Sequence, residues 1–312
     1  MNVSTVSSLA RRPGSLGAGI AAGLAAGALW GLVFVLPRLV PAYTGMEVTV
    51  GSYLAYGAIA VAAMAWSWRT TRAHLRPRVW LAALALGWLG NSLYYLLVVA
   101  AVRGAGTALT GLIIGTIPLW LLVIGRPPGL TLVRLAPGAA CTLAGLVLMH
   151  WGTTRAGVGE GFATGLACAL AALACWTAYA WLNARWLQRH PELPNAVWTN
   201  LLGVATVLGL LPVLAWMPGH PADTELLRAA QWPLFLAISL AMGLGASWLA
   251  TWLWNLASQR LPTSLAGQLI VSETLFALAY GFAYEQRWPT GLELAAAALF
   301  TLGIVAAIRG HR

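Results

Sequence analysis

A chain of 312 residues that is 60% hydrophobic and 8% charged cannot cover itself with a water-soluble surface, because soluble domains carry about 25% charged residues. Its formal charge of +10 comes from 18 basic residues dispersed among short polar breaks, without the patch or stripe that binds nucleic acid. Apolar windows of about 20 residues, each long enough to span a hydrocarbon core of ~30 Å as a helix, recur from end to end and leave no stretch for a soluble domain.

Helices are predicted throughout, since the apolar runs are continuous and lack the alternation of a membrane strand. The first, Leu16 to Leu36, is too long for the apolar segment of a secretory signal. Its Gly19, Gly23, Gly27 and Gly31 recur every four residues and leave a thin face that another helix can approach closely. The second runs from Met46 to Trp66. The third, Val79 to Ala101, sets Gly87, Asn91 and Tyr95 on one face. The fourth covers Ala105 to Ile124 and contains Pro118; the fifth covers Leu132 to Trp151. The sixth, from Gly161 to Leu182, aligns Trp176, Tyr179 and, at its end, Asn183. The seventh, Asn195 to Trp216, precedes an eighth from Trp232 to Leu256 with a polar stripe of Ser247, Thr251 and Asn255 flanked by Trp248 and Trp252. The ninth, Pro262 to Tyr284, carries Ser264, Gln268 and Ser272, with Glu273 near its middle, and the tenth runs from Gly291 to Ile308. Pro118 and Pro262, near Gly115 and Gly267, are expected to bend the fourth and ninth helices.

Ten spans put both termini on one side. Placing them in the cytoplasm leaves only Arg38, Arg103, Arg155, Arg228 and Arg287 on the other face, the distribution favoured by the positive-inside rule. Trp66, Trp80, Trp151, Trp216, Trp232 and Trp288 fit interfacial anchors. Sliding the second half over the first by 156 residues aligns Gly87 with Gly243, Asn91 with Ser247, Tyr95 with Thr251, Gly111 with Gly267 and Thr116 with Ser272. Trp30 answers Trp176 at a slightly different offset. The chain divides into residues 1–155, with a cytoplasmic tail 1–15, and 156–312. Each unit holds five spans, an odd number, so the second enters the membrane from the opposite side. Inverted repeats are an architecture of secondary transporters, with the substrate site near the midplane between them.

The Trp30-Gly31 pair, the Thr263 to Gly281 segment and the run Glu285-Gln286-Arg287-Trp288-Pro289-Thr290 resemble the drug/metabolite transporter superfamily, ten-span EamA-like type. Glu273 stands where that family has Glu before Pro, although Thr274 replaces the proline; Pro118 occupies the matching position in the first repeat. Glu285 matches an acidic residue closing the ninth span, whereas Arg126-Pro127-Pro128 fills the first-repeat counterpart. The resemblance implies an all-α integral membrane fold of ten transmembrane helices, built as two inverted five-helix repeats around a central cavity in a bacterial inner membrane. It also implies a site drawn from the first, third, fourth, sixth, eighth and ninth spans. The Leu89 to Val102 segment and the aromatic content look most like the YddG aromatic amino-acid exporter group, which implies efflux of aromatic amino acids and related compounds.

The candidate substrate-binding residues are Trp30, Asn91, Tyr95, Trp176, Tyr179, Ser247, Trp248, Thr251, Trp252 and Gln268. Aromatic walls with amide and hydroxyl groups suit an aromatic or amphipathic solute, although mid-membrane polar groups also bond neighbouring helices. Glu273, the one deep carboxyl, is a candidate for coupling or gating with Pro118 and Pro262, or for satisfying backbone at a helix break. The histidines form no cluster, Cys141, Cys168 and Cys175 have no metal spacing, and no phosphate loop or nucleophilic triad is present. No catalytic residue, metal or cofactor is therefore expected. The expected partners are a small-molecule substrate and the bilayer, with a monomer the simplest state. Other amphipathic solutes remain alternatives; a sugar-phosphate carrier would want a deep basic residue, and an intramembrane enzyme a catalytic constellation.

Overall fold

The computed structural model describes residues 13–150, 161–214 and 225–311. Arg11, Arg12, Arg155, Arg312, His220, the anchors Trp151 and Trp216, and the boundary between residues 155 and 156 lie outside the described residues. The helices are α1 (Pro13–Gly31), α2 (Gly45–Trp66), α3 (Pro77–Ala105), α4 (Thr107–Gly115 with Ile117–Ile124), α5 (Leu132–His150) and α6 (Phe162–Arg189). They are followed by α7 (Asn195–Leu214), α8 (Glu225–Arg260), α9 (Thr263–Leu269 with Val271–Glu285) and α10 (Gly291–Gly310). Among the described residues nine are long and apolar enough to cross a membrane, and the broken α4 supplies a shorter apolar element over Leu109–Ile124. The architecture is an all-helical, ten-helix membrane fold.

Helix ends follow local chemistry. A capping box opens α2: Thr44 Oγ1 accepts from the Glu47 N–H (3.3 Å) and Glu47 Oε2 accepts from the Thr44 N–H (2.7 Å). Thr290 and Glu293 repeat the device at α10. Each box satisfies amides that would otherwise lack partners in a helical first turn.

Four helices depart from regularity in matched places. Both α3 and α8 contain π-helical turns, Trp88–Ser92 and Gly243–Leu249, which shift the phase of the residues beyond them. Both α4 and α9 break, at Thr116 and at Ile270. At the α4 break the Thr116 hydroxyl donates to the Ile113 carbonyl (2.6 Å), and at the α9 break Ser272 donates to Leu269 (2.7 Å), a pair related by the 156-residue offset. Pro118 occupies the second residue after the first break, where a missing N–H is tolerated. Pro262 does not bend α9: it precedes the first helical residue, at φ −56° and ψ 141°, and the bend lies eight residues on.

Packing obeys an exchange of each helix with the one five positions away. α1 packs on α8 as α6 does on α3, α2 on α8 as α7 does on α3, and α1 on α9 as α6 does on α4; α2–α7, α4–α9 and α5–α10 map onto themselves. Gly87 abuts Ala205 of α7 while its counterpart Gly243 abuts Ala55 of α2. The glycine face of α1 lies on α9, with Gly23 against Leu269, Gly27 against Ser272 and the Glu273 backbone, and Gly31 against Phe276 and Ala277. Lipid tails are as apolar as leucine, so such close backbone approach, which maximises dispersion contact, replaces hydrophobic driving force.

Candidate functional site

The helices enclose a central cavity of about 740 Å³. It opens where the exposed Arg38, Glu285 and Arg287 line its mouth, and runs inward to the breaks of α4 and α9, reaching Pro118, Ile270 and Val271. Beyond the breaks the chain is sealed. Gln268, fully buried, donates from Nε2 to the Pro118 carbonyl (2.9 Å) and accepts from the Thr142 hydroxyl (3.4 Å). The Ser264 amide donates to the Gly125 carbonyl (3.3 Å), and the Ser264 hydroxyl bonds His311 Nε2 (2.7 Å) beside the C terminus.

The structure brings most of the sequence-predicted residues together. Trp30, Asn91, Tyr95, Trp176, Tyr179, Ser247, Thr251, Pro118 and Glu273 all line the cavity. Trp30 and Trp176, the repeat counterparts, meet edge to face with ring centroids 6.2 Å apart, and the buried Trp254 backs both at 5.6 and 5.8 Å. Tyr179 adds an edge contact to Trp176 at 5.9 Å. Asn91 Nδ2 donates to Thr206 Oγ1 (3.0 Å) and the Tyr95 hydroxyl to the Gly45 carbonyl (3.1 Å), so both side chains are held while facing the cavity.

Four predicted residues lie elsewhere. Trp248 turns to α7 and donates from Nε1 to Asn200 Oδ1 (2.7 Å). Trp252 is not part of the lining, and its carbonyl accepts from Asn195 Nδ2 (2.8 Å). One residue on from Ser247 or Thr251 is about 100° around a helix, which carries both tryptophans off the cavity face. Gln268 sits in the seal, and Pro262 at the start of α9. Asn255, third in the stripe of α8, also leaves the cavity: a four-residue step overshoots a turn by about 40°, so two steps rotate it toward α6 and α7. There Asn183 Nδ2 donates to Asn255 Oδ1 (2.9 Å), Asn255 Nδ2 to Thr199 Oγ1 (3.1 Å) and Trp198 Nε1 to Asn183 Oδ1 (2.8 Å). This buried network joins helices.

Sequence reasoning missed α2, which contributes Thr49, Ser52 and Tyr53, with Tyr53 at 6.5 Å from Tyr95. The signal was available, because Thr49, Ser52, Tyr53 and Tyr56 fall at i, i+3, i+4 and i+7 on one helical face. Tyr94 was also missed, as was the mouth. There Arg38 Nη1 pairs with Glu285 Oε1 (2.7 Å), Arg287 Nε with Glu285 Oε2 (2.6 Å) and Arg287 Nη2 with Glu293 Oε1 (2.7 Å). Among the described residues no group of three His, Cys, Asp or Glu side chains is placed to hold a metal ion.

The chain matches known proteins along its length. The model of the EamA-like transporter family matches residues 163–309. The inner membrane protein YtfF of Escherichia coli (strain K12) is 34% identical over 306 residues, covering 94% of this chain and 95% of that protein. A protein of known crystal structure shares the fold with a TM-score of 0.70 at 21% identity, over 93% of this chain and 96% of the other. With ten apolar helices around a cavity open at one end, and with a relative this similar over nearly the whole sequence, the chain belongs to the EamA-like transporter family and is a membrane transporter of a small-molecule substrate.

Proposed function

We propose that the chain is a secondary transporter that exports amino acids, the aromatic ones foremost, and related small metabolites by alternating access. The observation that carries this reading is the 740 Å³ cavity with the paired Trp30 and Trp176 in its wall, open at one end and sealed at the other. Its volume falls in the range of about 300–1,000 Å³ typical of sites for small organic molecules. Tyr95, Tyr179, Ser247, Thr251 and Asn91 add the few polar groups that orient an otherwise apolar guest. Residues 1–155 and 156–312 act as the two units that rock about the cavity, with the α4 and α9 breaks as hinges and Glu273 in the moving wall.

The arginine distribution supports cytoplasmic termini, so the mouth beside Arg38 faces away from the cytoplasm. The name of the Escherichia coli relative, an inner membrane protein, supports the bacterial inner membrane as the location. A monomer holds the whole cavity, and no cofactor enters the cycle. A phosphorylated cargo fits less well, because Arg38 and Arg287 at the mouth are already engaged by Glu285.

Counterflow in proteoliposomes tests the reading. Labelled phenylalanine and tryptophan should exchange across the bilayer at rates that saturate and that unlabelled substrate suppresses. If no amino acid moves while other amphipathic solutes do, the amino-acid assignment is wrong and the transporter reading stands.

A further inference from the structure

The charges of the cavity are unevenly served. At the mouth, Glu285 is bracketed by Arg38 and Arg287, and Arg287 also holds Glu293. In the interior Glu273 lines the cavity, three residues beyond the break of α9. Its carboxyl has no hydrogen bond or ion pair with any described residue. Glu273 and Glu285 share the continuous helical segment Val271–Glu285, and twelve residues at 1.5 Å each separate them by roughly 18 Å along the axis. The mouth arginines are therefore out of reach of a group seated on Glu273. A carboxylate in such a place is costly unless an opposite charge meets it, and none of the described residues pairs with it.

We propose that Glu273 is the docking point for the cargo's ammonium group, so that the transporter recognises amphipathic primary amines and takes an amino acid by its amino end. The inference rests on the small-molecule cavity described above and narrows its cargo. Trp30, Trp176, Tyr53 and Tyr94 line the same cavity, and aromatic rings attract organic cations. Among the described residues the arginines of the lining are Arg38 and Arg287 at the mouth, so at the depth of Glu273 the α-carboxyl of an amino acid meets neutral partners. The Thr110 hydroxyl is one: it is buried in the lining and has no partner of its own among the described residues. Decarboxylating the cargo should thus cost little, whereas removing its amino group should cost nearly all recognition.

The test uses the full chain in proteoliposomes and three probes of one shape: phenethylamine, 3-phenylpropanoate and the neutral 2-phenylethanol. Competition against labelled phenylalanine is measured, alongside thermal stabilisation of the detergent-solubilised protein by each probe, which does not require that phenylalanine be transported. Phenethylamine should bind at least tenfold more tightly than the alcohol, and the acid more weakly than either. In Glu273→Gln, whose side chain has the same shape, the amine-to-alcohol ratio should fall to about one. Glu273→Asp should keep part of the preference, which separates loss of charge from loss of fold. A wild-type protein that binds the acid as well as the amine, or binds none of the three, overturns the proposal, as does a Glu273→Gln protein that keeps the tenfold preference. Amine binding without amino-acid transport would leave the docking assignment intact and refute the amino-acid cargo.

Discussion

The two ends of the cavity are held by different chemistry. Toward the open end lie ion pairs: the exposed series Arg38, Glu285, Arg287 and Glu293, and a part-buried pair in which Arg228 Nη2 meets Glu47 Oε1 at 2.5 Å. The sealed end uses neutral hydrogen bonds of buried residues, Gln268 to the Pro118 carbonyl and the Ser264 amide to the Gly125 carbonyl. Exposed charges can part and re-pair across a gap at little cost, because water solvates them meanwhile. Buried neutral groups cannot, because opening the seal strands each donor until water reaches it. The difference predicts that the mouth parts more readily than the seal.

The largest effect should come from the pair of Arg228 with the buried Glu47. Arg228 also donates to the Ala42 carbonyl (3.0 Å), lies 4.3 Å over the Tyr43 ring, and accepts at its own carbonyl from the Tyr43 hydroxyl (2.9 Å), so it ties the α1–α2 turn to α8. Arg228→Ala takes the ion pair from the buried Glu47 carboxylate, which keeps its Thr44 capping bonds, with an expected loss of about 3 kcal/mol, read as a lowered unfolding midpoint in detergent. Arg228→Met with Glu47→Gln, which keeps an acceptor for the Thr44 N–H, should recover much of it; a single mutant as stable as the parent would remove this pair from the comparison.

Next comes the seal. Gln268→Leu removes the donor to Pro118 and the acceptor of Thr142, at an expected cost of about 1–3 kcal/mol for the group left unsatisfied. A cysteine placed at Thr142 should then react faster with a thiol reagent applied from the sealed face. Unchanged labelling would mean that packing alone closes that end.

Trp176→Ala tests the wall between the two ends. It removes edge contacts to Trp30 and Tyr179, each worth about 0.5–1.5 kcal/mol beyond area burial. Competition by tryptophan should weaken about tenfold, a change of 1.4 kcal/mol, while that of alanine changes less. Equal changes for both would point to a structural role. The smallest effect on stability is expected for Arg38→Ala at the mouth, where half-exposed side chains pair. Its unfolding midpoint should match the parent's, while the salt dependence of the initial transport rate diminishes.

The sequence read well wherever a property depended on neighbours along the chain. Span positions, the α1 glycine face and the pairing of Asn91 with Ser247 and Tyr95 with Thr251 needed only apolar run length, four-residue spacing and the 156-residue offset. It read less well once phase had to be carried through irregular turns. The π turns at Trp88–Ser92 and Gly243–Leu249 leave no mark in composition. The rotation that turns Asn255 from the cavity accumulates over two four-residue steps. Bending at α9 was expected at its proline, whereas the break at Ile270 is supported by Ser272 bonding back to Leu269.

What the sequence determined by itself is the class and the count: ten apolar helices, because a lipid-embedded backbone must close its hydrogen bonds within each segment and so reads out locally. Which polar side chains face the cavity, which join helices and which seal its end was decided by tertiary structure alone. Asn183, Asn255 and Gln268 are alike amides in or beside apolar runs, yet their partners come from other helices. A buried polar group takes its role from the group it can reach, and that is a property of packing.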